Sequence, residues 1–306
     1  MSIIVFTHPI FVKHEMGVGH PESPQRIKAI QQALEKAPYH QQLIWQEPPQ
    51  ATKAQLARVH HEDYIEKLFK VAPQTGYLSL DPDTVMNPYS LTAALHAAGS
   101  VVAAVEAVFH GETQKAFCLV RPPGHHAEPD RAMGFCFFNN IAVGVAHALA
   151  QNYCQRVAII DFDVHHGNGT ETMMLQEPGV CFWSSFEHPF YPGTQLNGKP
   201  EHIHLCPLSA GTTGELFRGK IDQELIPLLE AFKPECLFIS AGFDAHQLDP
   251  LADLKLQTSD YAYVTEKLRE IADKYANGRM ISTLEGGYHL TAIADSVVAH
   301  INSLIE

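Results

Sequence analysis

Val157-Ala158-Ile159-Ile160-Asp161-Phe162-Asp163-Val164-His165-His166-Gly167-Asn168-Gly169 joins a short apolar run to a turn crowded with carboxylates and imidazoles. The opening five residues are short, apolar and rich in β-branched side chains, the pattern of a strand buried on both faces, although periodicity alone leaves a short helical piece open. The same grammar recurs along the chain. Residues 3–7, 116–120, 180–184, 202–206, 236–240 and 280–284 are further apolar runs that end in polar or glycine-rich turns. Longer helical patterns lie between them at 24–37, 90–110, 139–151, 214–232, 259–275 and 290–305. The first begins with Ser23 as N-cap and Pro24 at the first helical position, where a missing N–H costs nothing. Alternating strands and helices predict an α/β fold, a mostly parallel central sheet with helices on both faces. The 306 residues contain no internal repeat or linker-like tract, so residues 1–306 read as one domain. The loop-rich stretch 73–88 is too short to divide it.

Composition narrows the function classes. Lys+Arg number 21 against 34 Asp+Glu, a formal net charge of −13. Binding to nucleic acid through a general basic surface is therefore not expected, because phosphate neutralisation needs clustered cations. No unbroken apolar run reaches the length of a membrane span, and the first residues lack a basic segment followed by a long apolar one, so neither a membrane protein nor a secretory leader is expected. The six cysteines are scattered with no C-x-x-C pair, which argues against a disulfide framework or a thiolate zinc site and points to a reducing, cytoplasmic location. Histidines number 19, nearly as many as all Lys and Arg.

In open α/β sheets, ligands bind beyond the carboxyl ends of the strands, so function is sought in the residues just past each strand. Four ends carry chemistry: Arg121 to His126, Asp161 to Gly169, Ala241 to His246, and Glu285 to His289. In the extended Asp163-Val164-His165 segment, residues i and i+2 share a side and can bind one cation together. Asp244 from another strand end could supply a third ligand. Two carboxylates and an imidazole leave an open position for water and substrate, the pattern of a catalytic zinc site; alternatively, each aspartate alone could cap a helix. His125-His126 comes after a stiff Pro-Pro-Gly turn, and a histidine beside activated water can act as general base and then acid. Asp161 and Asn168 are candidates to orient those rings. Tyr288, set among glycines, could donate its hydroxyl to a developing oxyanion. Together these groups suggest hydrolysis of an amide or ester.

Those segments, with His20 to Arg26 and Gly134-Phe135-Cys136-Phe137-Phe138-Asn139-Asn140, resemble the zinc-dependent histone deacetylases and the bacterial histone-deacetylase-like amidohydrolases, especially the class II branch. The resemblance runs from near His8 to the C-terminus. It implies an arginase/deacetylase fold and one zinc per chain on Asp163, His165 and Asp244. It implies His126 as general base and acid, with His125 charged or polarised beside Asp161, and Tyr288 on the scissile carbonyl. Gly134 and Phe135 would line a narrow acyl-lysine channel opposite Tyr191. Asp83 would anchor substrate backbone, and Arg26 would line an internal acetate cavity. A structural potassium ion near Asp161 and Ser184 is also implied. Asn168 stands where class I enzymes carry aspartate, which is the class II pattern and pairs His126 less strongly with a charge. Gln195 stands where a glycine is common. Gly167 and His246 occupy positions where the two-manganese arginase branch has extra carboxylates, which disfavours a binuclear site.

Polyamine deacetylases often carry a glutamate just after the Asp-Pro that comes behind the third metal ligand. Here Leu251 stands there, which suits the aliphatic stem of an acetyl-lysine peptide or protein rather than a small acetylated polyamine. The alternatives are a broad small-molecule amidase or esterase and a weakly active acyl-lysine-binding protein, the last disfavoured by Tyr288. Mixed oxygen and nitrogen ligation also accommodates ferrous iron. Loops 74–88 and 195–201 are candidate contacts for a homo-oligomer.

Overall fold

The computed structural model describes residues 2–306. Its strands are β1 (Ile3–Phe6), β2 (Leu43–Gln46), β3 (Leu78–Ser79), β4 (Val85–Met86), β5 (Lys115–Cys118), β6 (Val157–Asp161), β7 (Val180–Glu187), β8 (Ile203–Leu208), β9 (Cys236–Ala241) and β10 (Met280–Leu284). Eight of them form one sheet in the order β2-β1-β5-β10-β9-β6-β7-β8, with every neighbouring pair parallel. The main helices are α1 (Pro24–Lys36), α2 (Lys53–Leu56), α3 (Glu62–Val71), α4 (Ser90–Phe109), α5 (Asn140–Ala150), α6 (Asn168–Met174), α7 (Gly214–Lys220), α8 (Ile226–Phe232), α9 (Thr258–Tyr275) and α10 (Leu290–Ile305). One group of helices, α1, α10 and α9, packs in sequence, and α4 pairs with α5. The central strands β5, β6, β9 and β10 are buried along their whole length, which is why their sequences are apolar without alternation.

All seven apolar runs form strands. The eighth, β2, lies at the sheet edge with Ile44 and Trp45 exposed, so it lacks the unbroken apolar signature. A two-stranded hairpin, β3–β4, occupies the stretch expected to be loop. The helix expected over 214–232 contains a π turn at Ile221–Leu225; Pro227, two residues after it, supplies no N–H. Ser23 stands at the N-cap of α1, but its hydroxyl accepts no capping bond. Among the described residues one helix, α4, is long and apolar enough to cross a membrane by length and composition, and most of that stretch is buried within the fold. Ser, His, Gly and Glu interrupt its run, so no unbroken apolar stretch marks it in the sequence.

Two buried histidines give the fold an acid limit. His300 accepts from Ser282 Oγ at Nε2 (2.9 Å) and meets Thr265 Oγ1 at Nδ1 (2.6 Å), and burial lowers its pKa to about 3. His60, bonded to the Glu128 carbonyl (3.1 Å) and the Asn139 N–H (2.9 Å), is lowered by burial to about 4. An unfolded histidine takes its proton near pH 6.5, so between there and the folded values the unfolded chain binds more protons. Stability therefore falls as pH drops through that window, by roughly 1.4 kcal/mol per pH unit for each ring. Denaturant melts from pH 7 to 4 should show the slope, and His300→Gln should flatten it; an unchanged slope would remove His300 from the account.

Candidate active site

The four strands whose ends carry the motifs, β5, β10, β9 and β6, are consecutive in the sheet. Parallel pairing puts their carboxyl ends on one edge, so segments far apart in sequence converge. Glu285 after β10 joins them: its Oε2 accepts the N–H groups of Gly124 (2.7 Å) and His125 (3.2 Å), and its Oε1 meets Ser240 Oγ at 3.2 Å. Burial, opposed by the nearby His125, pushes this carboxyl up to about 7.

Asp163, His165 and Asp244 present ligand atoms that all lie within 4.8 Å of one another. His165 Nδ1 is 3.0 Å from Asp163 Oδ1 and 3.3 Å from Asp244 Oδ2. A four-coordinate ion with N and O bonds of roughly 2.0–2.1 Å holds its donors about 3.4 Å apart, close to these spacings. The outer oxygens are committed elsewhere: Asp163 Oδ2 accepts from Gly286 N (2.8 Å) and Asp244 Oδ1 from Val164 N (2.9 Å). Neither aspartate caps a helix. Asp244 Oδ2 is buried without a hydrogen-bond partner, a costly state unless a cation meets it. The backbone approaches closely: a Cβ on Gly242 would sit 2.0 Å from Asp163 Oδ2, and one on Gly286 2.1 Å from Asp244 Oδ2.

The electrostatics describe a box that requires a cation. Burial disfavours a charged His165, yet the neighbouring carboxylates of Asp163 and Asp244 raise it to about 10. Burial and the Asp163 charge push the Asp244 carboxyl up. An imidazole that takes a proton from two carboxylates occupies the place a divalent ion takes when it displaces that proton. The donor set therefore fits a metal.

The tandem histidines diverge chemically although their ring centroids are 4.0 Å apart. His125 Nδ1 is 2.9 Å from Asp161 Oδ2; burial opposes its charge, but Asp161 and Asp163 raise it to about 10. His126 Nδ1 is 2.7 Å from Asn168 Oδ1, and burial plus the charges of His125 and His165 hold it well below the usual histidine range. Neighbouring groups pushed apart in this way suit opposite acid and base duties.

A narrow cavity of about 100 Å³ leads to this point, lined by His125, His126, His165 and Tyr288 together with Gly134, Phe135, Tyr191, Leu251 and Asp83. The Tyr191 ring stands edge-on to His126 at 5.2 Å, and Phe135 stands edge-on to Tyr288 at 6.0 Å. Gly134 and Phe135 both have positive φ, 55° and 69°; a Cβ at Gly134 would meet His126 Cδ2 at 2.4 Å. Phe135 is held in this disfavoured conformation by Thr84 Oγ1, which accepts its N–H at 3.0 Å, and by His20 packed edge-on at 4.7 Å. Thr84 also bonds the Asp83 carboxylate at 2.8 Å. Asp249, given no role on sequence grounds, ties the walls together: Oδ2 accepts from Tyr288 N (2.7 Å) and Oδ1 from Leu251 N (3.1 Å).

Arg26 supports the tyrosine loop. Its buried guanidinium bonds Glu22 (3.1 Å), the Gly287 carbonyl (2.6 Å) and the Glu285 carbonyl, and it lies 5.1 Å over the Tyr288 ring. Its bonds to the Glu285 and Gly287 carbonyls brace the backbone on which Tyr288 sits. Glu22 in turn binds Arg121, whose guanidinium also holds the Phe11 (2.6 Å) and His14 (2.9 Å) carbonyls. Asp161 and Ser184 are register partners across β6 and β7; Ser184 Oγ meets His166 Nδ1 at 3.0 Å.

A parallel α/β sheet that gathers an Asp-His-Asp donor set, a buried histidine pair and a tyrosine at its carboxyl edge defines a metal-dependent hydrolase. Residues 20–304 match the histone deacetylase domain. The chain is 35% identical over 285 residues to the histone deacetylase-like amidohydrolase of Pseudomonas aeruginosa, covering 91% of this chain and 75% of that one. It is 36% identical over 293 residues to a probable deacetylase of Archaeoglobus fulgidus, covering 93% and 80%. The crystal structure of the HDA15 HD domain superimposes with a TM-score of 0.91 at 34% identity, covering 99% of this chain and 90% of that one, and shares its arginase/deacetylase fold. The chain belongs to the histone deacetylase family and is a metal-dependent deacetylase or amidohydrolase of that family.

Proposed function

We propose that the protein removes acetyl groups from the ε-amino group of lysine in peptides or proteins, using one zinc ion per chain on Asp163, His165 and Asp244. The observation that carries this reading is the narrow aromatic channel, walled by Phe135, Tyr191 and the apolar Leu251, that reaches His165 of that donor set. A zinc ion held there supplies Lewis-acid polarisation. His126, neutral and with Nδ1 engaged by Asn168, takes a proton at Nε2 and returns it to the departing amine. His125, charged beside Asp161, contributes positive potential to a transition state that gathers negative charge. Tyr288 donates its hydroxyl to the acyl oxygen. Asp83, at the same cavity, accepts from substrate N–H groups. Asp161 and Ser184 hold a structural potassium ion in this reading, and six buried, unpaired cysteines support a cytoplasmic setting.

A side-by-side assay tests the substrate class. Zinc-reconstituted protein should hydrolyse an acetyl-lysine peptide faster than an acetylated polyamine at equal concentration, and chelation should abolish both. Leu251→Glu should shift that ratio toward the polyamine by about tenfold, because a carboxylate in the channel wall pairs with its second ammonium. Faster polyamine turnover by the unaltered enzyme would keep the mechanism and overturn the substrate.

A further inference from the structure

His126 can accept a proton at Nε2 only if its own hydrogen sits on Nδ1, and that requires an acceptor opposite Nδ1. A carboxylate there would accept through either oxygen. Asn168 accepts only if its amide faces the right way, and an amide has two ends of nearly equal shape. The orientation must come from the groups that meet the other end. Asn168 Nδ2 faces three acceptors: Glu128 Oε1 at 2.6 Å, the His126 carbonyl at 3.4 Å and Met133 Sδ at 3.5 Å. The carboxylate is the strongest and best placed of them.

Glu128 is itself fixed. Its carbonyl takes a bond from His60 Nδ1 at 3.1 Å, and its N–H donates to the Arg131 carbonyl at 3.0 Å. Its side chain is 11% exposed and, with Asn168, borders a second cavity of about 460 Å³. Arg131 comes no closer than 3.9 Å and is 64% exposed, so it does not compete for the carboxylate.

We propose that Glu128 is a positioning residue for the reaction: it holds the Asn168 amide with its carbonyl toward His126, so that the ring keeps its hydrogen on Nδ1 and its basic nitrogen toward the channel. The negative charge absent from Asn168 is thereby restored one side chain further out. This inference rests on the role given to His126 above.

A double-mutant cycle separates this role from simple packing. Glu128→Ala should lower kcat by about 10- to 100-fold with KM nearly unchanged, the range typical of groups that orient a reacting residue. Glu128→Gln, which keeps an acceptor and the shape, should retain most of kcat. In the Asn168→Asp background no amide needs orienting, so Glu128→Ala should there leave kcat unchanged or raise it by separating two carboxylates. An equal loss in both backgrounds, or a loss in Glu128→Gln as large as in Glu128→Ala, overturns the proposal. Ring ¹⁵N spectra of His126, assigned by their absence in His126→Ala, give a readout independent of turnover. They should show hydrogen on Nδ1 in the unaltered protein and a mixture of tautomers in Glu128→Ala. A His126 ring with hydrogen on Nε2 in the unaltered protein, or the same spectrum in Glu128→Ala, overturns the inference. An unaltered protein that hydrolyses no acetylated amine overturns the functional reading instead, and the ring spectrum still decides on Glu128.

Discussion

Asp244→Asn yields a folded protein that carries no stoichiometric zinc and loses turnover by on the order of 10³-fold or more, about 4 kcal/mol of transition-state stabilisation. The substitution keeps the side chain's shape and an oxygen for the 2.9 Å bond from Val164 N, so the loop need not rearrange. It removes the charged oxygen that lies 3.3 Å from His165 Nδ1 and lacks a hydrogen-bond partner. The same change has the opposite sign on stability without metal. There Asp163 and Asp244 crowd one imidazole, and burial with the Asp163 charge makes ionised Asp244 unfavourable. Neutralising it should raise the melting temperature in chelator, whereas in excess zinc the unaltered protein should melt higher, because only it gains binding energy on folding. Metal analysis of the purified variant, with melts in both conditions, checks each half. A variant that retains full zinc and full turnover removes Asp244 from the donor set.

The legibility of this molecule comes from where its chemistry sits. Strands β5, β6, β9 and β10 are buried on both faces, so their unbroken apolar runs stand out, and the residues after them are the site. The pairing of Asp163 with His165 is local, but the segment bends rather than extends: Asp163 Oδ1 accepts the His165 N–H at 2.9 Å, and that turn brings the two side chains to 3.0 Å. Edge strand β2 is four residues with two exposed, and it offers no such run. Helix α6 begins at Asn168 itself, so a residue expected in a loop is the first of a helix that aims its amide at His126. The supporting carboxylates are harder to foresee. Glu285, Asp249 and Glu128 reach partners 161, 39 and 40 residues away, and no periodicity links such positions. Each belongs to a segment already notable for its neighbours, next to a glycine pair, before a proline and after a histidine pair. The available signal is a carboxylate beside a motif whose own donors need fixing. Arg26 is another such support: three acceptors and a tyrosine face hold its guanidinium, and one of those acceptors lies 261 residues away.

Tyr288→Phe should lower kcat by about 10²–10³-fold, the cost of losing one preorganised donor to an oxyanion. The ring itself is held independently of its hydroxyl. Asp249 fixes the backbone N–H at 2.7 Å, Arg26 lies 5.1 Å over one face and Phe135 meets it at 6.0 Å, so phenylalanine should take the same position. Burial pushes the phenol well above its usual range, which keeps the hydrogen on oxygen and available for donation at any working pH. The donor matters most when the acyl oxygen becomes negative, so KM and zinc content should change little while kcat falls. That pattern also separates an enzyme from an acyl-lysine-binding protein of the same fold. A binding protein would hold an acetyl-lysine peptide equally well with either residue and turn over neither, whereas here affinity should survive the substitution and turnover should not. Unchanged turnover in Tyr288→Phe would take the hydroxyl out of the mechanism, and the oxyanion would then have to be met by His125 and the metal alone.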